Sequence, residues 1–264
     1  MKFAVLASGS SGNSIYIESK GQKFLVDAGI TNKAIGQRLN ELDIDKKEIN
    51  SVFITHEHSD HIRGIDVLAR QNPHINIFAN TATWQAGHKY FYRVAEEQKR
   101  VFSNQQKFTL GDLSITPFAI SHDAADPVGF EIDDGKHKLV IATDLGVVTQ
   151  GVYEHLLNAD AIILESNHDK EMLVKGPYPP FLKSRISSSR GHLSNDIAAK
   201  LLRKIVCRKT QVVVLAHLSE KNNTPSVAFD TCYSELWACG LKPQKDFSLS
   251  VAKQGEASNL IELE

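Results

Sequence analysis

The sequence predicts an α/β protein, a four-layer αββα sandwich in which two mixed β-sheets are flanked by helices. Three observations carry this. The chain has two strand-rich halves, each followed by helices. The run Ser51-Val52-Phe53-Ile54 reads as a buried strand, and the run from Ile62 to Arg70 as a helix with one apolar face. The loop between them then lies at the carboxyl edge of a sheet, where open α/β sheets place their ligands. The chain has 264 residues, 42% of them apolar and 23% charged, enough to bury a full core, so a single domain over 1–264 is expected, with a two-lobed one as the alternative.

That loop, Thr55-His56-Glu57-His58-Ser59-Asp60-His61, packs three imidazoles and two carboxylates into one short stretch. His56 and His58 are two apart and point the same way on an extended loop, so they can share one ion. Asp60 and His61 follow at once and can turn to a second. Four residues of zinc- or manganese-binding type so close together suggest a site for two divalent ions. The alternative is a solvated, His-rich loop.

HxHxDH after a buried strand resembles the signature of the metallo-β-lactamase superfamily. The form in which Asp precedes the last His resembles the branch that handles phosphodiesters. The resemblance implies a set of further residues. Asp27, in Val26-Asp27-Ala28-Gly29, matches the first motif and would brace the metal loop rather than bind metal. His122, at the end of a strand, matches the third motif and would join His56 and His58. Asp144, in Thr143-Asp144-Leu145-Gly146, matches the aspartate that bridges two metals. His217 matches the last motif and would join Asp60 and His61. His192, followed by a helix, a strand and His217, resembles the tRNA-maturing ribonuclease Z pattern. There the first histidine faces the scissile phosphate and is proposed to donate a proton. Asp60 and His192 are thus the candidate catalytic residues, Asp60 also a ligand.

Taken in order, Lys2–Ala7, Ser14–Glu18 and Phe24–Val26 read as strands. The glycine-rich loop 8–13 reads as a hairpin turn, with a phosphate cradle as the weaker alternative. Thr31 or Asn32 caps a helix bearing Ile35, Leu39 and Leu42. Ile75–Ala79 is a strand, and Asn80-Thr81 opens a helical stretch. His74 and His88 have no nearby ligand partner and read as surface or core residues. Leu113–Ile120 is a strand, and Val128–Ile132 and Lys138–Ala142 form a hairpin around Asp133-Asp134-Gly135. Tyr153–Leu157 is a helix and Ala161–Leu164 a strand ending in Glu165-Ser166-Asn167-His168-Asp169. His168 has two readings, substrate contact or a structural role, and the second is favoured.

From Met172 to Asn195 the composition becomes basic and loop-like, with prolines and serines and without acidic residues. Lys183, Arg185 and Arg190 there, with Ser219 further on, are candidates for contact with substrate phosphates, the alternative being a solvated surface loop. Asp196–Cys207 is helical with Ile197, Leu201, Leu202 and Ile205 on one face, and Gln211–Leu215 is a strand. Thr224-Pro225 opens a helix with Val227, Ala228, Thr231, Cys232 and Leu236 inward, and strands Phe247–Val251 and Leu260–Leu263 follow.

The net charge of −1 excludes a polycation, so nucleic-acid contact must come from a local basic patch. Cys207, Cys232 and Cys239 lack paired metal spacing; Cys232 and Cys239 read as core thiols in a reducing compartment. No signal peptide and no membrane span are expected, which points to the cytoplasm.

Asp144 to His192 leaves no room for the inserted domain of ribonuclease J and crosslink-repair nucleases. The strings Glu165-Ser166-Asn167-His168-Asp169, Tyr178 to Arg185, and Gly191-His192-Leu193-Ser194-Asn195 resemble the YycJ/WalJ group of bacterial proteins. That resemblance implies a 5′-to-3′ exonuclease on double-stranded DNA, linked to DNA repair. Spacing and charge alone reach a two-metal hydrolase of phosphodiesters, with zinc or manganese as the ions. A cyclic or small-molecule phosphodiesterase, a ribonuclease, and a non-catalytic binding module are the rivals.

Overall fold

The computed structural model describes residues 1–264, which form two compact units. One holds residues 1–117, 124–128 and 253–264; the other holds 118–123 and 129–252.

The first unit is built on β1 (Lys2–Ala7), β2 (Ser14–Ser19) and β3 (Gln22–Val26), a meander of antiparallel pairs. Then come α1 (Asn32–Asn40), β4 (Ser51–Phe53), α2 (Ser59–Ile62), α3 (Ile65–Gln71), β5 (Asn76–Ala79), α4 (Thr81–Ala86) and β6 (Lys99–Val101). β3 to β6 pair in parallel. Thr31 caps α1 by accepting from the Ala34 amide, and Asn80 caps α4 by accepting from Thr83. Ile35, Leu39, Ile62, Ile65 and Leu68 from the helices meet Val52, Ile54 and Ile77 in one apolar core. Where the sequence reads one helix from Ile62 to Arg70, there are two. They part at Gly64, whose amide donates to the Ala28 carbonyl at 2.8 Å instead of continuing the helix, and only glycine fits there, since a Cβ would stand 2.2 Å from the Ile30 carbonyl oxygen.

β7 (Phe108–Leu110) pairs with β8 (Leu113–Ala119), which leads toward the second unit. There follow β9 (Val128–Asp133), β10 (Lys138–Ala142), α5 (Gln150–Leu156), β11 (Ala161–Glu165), α6 (Lys170–Lys175), α7 (Pro180–Ile186), α8 (Asn195–Ile205), β12 (Val212–Ala216), α9 (Pro225–Ala238) and β13 (Ser248–Val251). β9 and β10 make the expected hairpin, and β10 to β13 run parallel. All five residues of β11 and of β12 are buried, as strands covered on both faces must be. α5, α8 and α9 pack Val152, Leu202 and Leu236 against them. β14 (Ile261–Glu262) closes the first sheet beside β1.

Each sheet is mixed and seven-stranded, in the orders β14-β1-β2-β3-β4-β5-β6 and β13-β12-β11-β10-β9-β8-β7. No helix is long and apolar enough to cross a membrane. Three local expectations are corrected. The segment after Met172 is not a loop but carries α6 and α7, the latter with Pro180 in its first turn, where a missing N–H costs nothing. Ile197 is 41% exposed rather than part of the core face of α8. Cys239 is exposed, because it stands at the end of α9 past the last inward turn; Cys232 is buried as expected.

Candidate metal centre

In the first unit the histidine loop leaves β4 and turns into α2, so Asp60 and His61 lie on a helical turn. His56 and His61 are fully buried, with ring centroids 4.0 Å apart; His58 lies 4.7 Å from His56. Asp27 anchors them. It takes a left-handed conformation, φ 63°, at the end of β3. Its Oδ1 accepts from the Thr55 amide at 2.9 Å. Its Oδ2 accepts from Thr55 Oγ1 at 2.8 Å and from His61 Nδ1 at 2.7 Å. His61 therefore keeps its proton on Nδ1 and presents Nε2 as a bare acceptor. Asn13 agrees with this tautomer: its Oδ1 accepts from the Gly9 amide, which turns its Nδ2 toward His61 Nε2 at 3.1 Å.

The loop 8–13 is the turn between two antiparallel strands, and it also braces the histidine loop. Asn13 donates its amide to the Asp60 carbonyl at 2.7 Å and accepts from Gly29 at 2.8 Å. A Cβ on Gly29 would stand 1.6 Å from that same Asp60 oxygen, so only glycine permits this approach.

The second unit gathers its polar residues at the carboxyl edge of the parallel strands, where Asp144 follows β10, Glu165 ends β11 and His217 follows β12. Asp144 and His217 are left-handed, with φ 59° and 55°. Such a conformation costs a non-glycine residue about 1–3 kcal/mol and is kept where surrounding contacts enforce it.

Glu165 is at the centre. It is completely buried. Oε1 accepts from His192 Nδ1 and from His217 Nδ1, each at 2.8 Å. Oε2 accepts from the amides of Leu145 at 2.8 Å and Leu193 at 2.9 Å. With four donors its oxygens are committed, so it orients the imidazoles and is not itself free to bind an ion. Burial alone would push its carboxyl up, but His192 and His217 outweigh that and hold it well below the usual carboxylate range. Burial opposes charge on His192 too; Glu165 outweighs it, and His192 holds its proton above the ordinary imidazole range.

Asp144 Oδ1 lies 3.5 Å from His217 Nδ1, 3.7 Å from His122 Nε2 and 3.8 Å from His192 Nδ1. His122 donates Nδ1–H to the Gly191 carbonyl at 3.2 Å, which turns its Nε2 to Asp144 and Asp123. The donor chemistry thus fits divalent ions. His61, His122 and His217 each commit Nδ1 to an oxygen acceptor of the protein, so Nε2 is the nitrogen each would offer an ion, the arrangement of metal-binding histidines.

The first unit therefore brings together His56, His58, Asp60 and His61, and the second brings together His122, Asp144, His192 and His217. The phosphate candidates are placed otherwise than on an open arm. Lys183 donates to the Val174 carbonyl at 2.6 Å. Arg185 pairs with Asp123. Arg190 donates Nε and Nη2 to the His122 carbonyl at 3.2 and 3.1 Å. Ser219 is buried and accepts from the Asn222 amide. His74 and His88 are exposed. Glu165 is the functional residue that the sequence reading misses. Its signal was present: a glutamate closing a run of four apolar residues, Ala161 to Leu164, which only a structural partner could hold in a core.

Residues 22–218 match the model of a beta-lactamase superfamily domain. The chain is 38% identical over 264 residues to exodeoxyribonuclease WalJ of Streptococcus pneumoniae, covering 99% of this chain and 98% of that protein. It is also 38% identical over 228 residues to exodeoxyribonuclease YycJ of Bacillus anthracis, covering 86% of each. Among solved structures, the metallo-β-lactamase fold protein YhfI of Bacillus subtilis matches with a TM-score of 0.69 and 18% identity, over 98% of this chain and 99% of that one.

Proposed function

The chain belongs to the β-lactamase superfamily, and from that premise we propose that it is a two-metal 5′-to-3′ exonuclease on double-stranded DNA, serving DNA repair in the cytoplasm. That it is a metal-dependent hydrolase follows from its full-length homology to exodeoxyribonucleases together with its His/Asp clusters. The observation that carries the metal reading is the shared orientation of His61, His122 and His217, each with Nδ1 spent on the protein. DNA as substrate rests on the relatives.

In this reading His56, His58, Asp60, His61, His122, Asp144 and His217 would hold the two ions. Zinc or manganese suits this set. Bound there, the ions would supply Lewis-acid chemistry, acidifying a water and offsetting charge on the phosphoryl oxygens. Asp60 would be both a ligand and a catalytic residue. His192 supplies the proton for the leaving oxygen. Its Nδ1 is fixed by Glu165, so Nε2 is the atom that delivers it, and the Glu165 carboxylate favours the protonated imidazole.

Lys183, Arg185, Arg190 and Ser219 are the proposed phosphate contacts. A guanidinium has five N–H donors, and Arg190 gives only Nε and Nη2 to the His122 carbonyl, so it has others to offer a phosphate. No inserted domain is required, and one domain over 1–264 performs the reaction.

Digestion of a 5′-labelled DNA duplex with manganese or zinc, by the wild type and by Asp144→Ala, tests this. Metal-dependent loss of end label, absent in the variant, is the expected result. Failure to cleave duplex, single strand or RNA under either metal would overturn it in favour of a small phosphodiester.

A further inference from the structure

A groove of about 580 Å³ opens in the second unit beside His192, between α6, α7 and the start of α8. That is within the ~300–1,000 Å³ typical of small-ligand sites. Its walls are largely apolar, from Leu173, Val174 and Ile197. The exposure of Val174 and Ile197, at 73% and 41%, is unusual for side chains of this kind gathered along one groove.

The lining also includes two buried polar residues that the mechanism leaves unused. His168 and Ser194 are 3% and 2% exposed, and both border the groove. Neither Nδ1 of His168 nor Oγ of Ser194 has a hydrogen-bond partner. Ser194 occupies the N-cap of α8, where a serine normally spends its hydroxyl on the first helical turn; here it does not. The backbone around them is tightly held. The Asn195 amide donates to the His168 carbonyl at 2.9 Å, and Asn195 and Asn223 bond side chain to side chain. Two buried polar groups kept unpaired on a rigid frame are a cost that a ligand in the groove would lift. Lys170, paired with Asp196 at 3.1 Å, and Lys183, which donates to the Val174 carbonyl, lie along the same groove as its cationic groups.

We propose that this groove binds the leaving mononucleotide, with the base and sugar against Leu173, Val174 and Ile197, polar edges at His168 and Ser194, and the phosphate toward Lys170 and Lys183. The chemistry of all three parts is that of a nucleoside monophosphate. The position follows from His192. The proton donor must face the leaving oxygen, and the groove that shares His192 as a wall is where the leaving nucleotide then sits. This rests on the exonuclease reading above. Burial keeps His168 uncharged near neutral pH, with a pKa lowered to about 4, so it meets the ligand as a neutral donor or acceptor.

The test is calorimetric titration of dAMP, deoxyadenosine and inorganic phosphate into the full-length protein, with chelator present so that binding is read apart from turnover. The wild type is expected to bind dAMP, deoxyadenosine more weakly, and phosphate alone least. Ser194→Ala should raise the dAMP Kd about tenfold, the worth of one good hydrogen bond. Ile197→Trp, at an exposed position that leaves the core intact, should fill the groove and abolish binding. Absence of dAMP binding, or equal binding by wild type and both variants, would overturn the groove assignment even if the protein digests DNA. Groove-dependent dAMP binding by a protein that leaves every DNA substrate intact would uphold the groove and sink the exonuclease reading.

Discussion

His192 donates Nδ1–H to Oε1 of Glu165 across 2.8 Å, and the carboxylate that receives it is wholly buried. The same oxygen receives His217, so one carboxyl group orients both a proposed proton donor and a proposed metal ligand.

Glu165→Gln should therefore damage two functions at once. A carboxamide has one acceptor oxygen for four donors, and its NH₂ turned to an imidazole forces the opposite tautomer. His217 would then carry a proton on Nε2. Metal affinity should fall about 10–100-fold, the usual effect of losing a carboxylate behind a metal-binding histidine. Stability should fall by about 3 kcal/mol, as when one partner of a buried charged pair is removed. Metal content and urea unfolding read the two effects; unchanged metal affinity would refute the orienting role.

Asp27→Asn separates charge from backbone. Asparagine tolerates the left-handed conformation that Asp27 adopts at φ 63°, so the turn should persist. What is lost is the carboxylate shared by Thr55 and His61. The expected outcome is a normal circular-dichroism spectrum with metal affinity reduced about tenfold or more. Competition against a chromophoric chelator measures it.

His192→Ala should lower the rate by about 10²–10⁴-fold, the range for a missing general acid, with metal content nearly unchanged. Parallel rate and metal assays decide it. A large fall in metal content would make His192 a ligand instead.

The pH dependence of stability should carry a His168 component. The folded protein keeps this imidazole neutral down to about pH 4, because burial penalises its charge, against an ordinary value of 6.5. Between those two values the unfolded chain binds a proton that the folded chain does not. Stability then falls as pH falls from 6.5 toward 4, by about 3 kcal/mol, and the component is flat above and below. Urea midpoints across this window should drop less steeply in His168→Asn than in the wild type.

The strand-helix order around the histidine loop was legible because burial leaves a one-dimensional trace. Ser51–Phe53 and Ala161–Leu164 are apolar runs that no exposed segment would carry, and both became buried strands. The basic stretch after Met172 misled, because proline in a first helical turn looks like a loop signal when its neighbours are unknown. Ile197 misled for a related reason. Its spacing on α8 matches the buried face, and only the neighbouring helices decide that it meets a groove.

By itself the sequence determined the ligand chemistry: which imidazoles and carboxylates exist, and that they stand at strand ends, since residue type and periodicity are local properties. Tertiary structure alone decided which nitrogen each imidazole offers. That choice depends on Glu165 reaching His192 and His217, and on Asp27 reaching His61. These partners are separated by 27, 52 and 34 positions along the chain. The parallel strands β3 and β4 bring Asp27 to His61, β11 and β12 bring Glu165 to His217, and the loop before α8 brings His192 to the same carboxylate, and no local pattern of residues records these meetings.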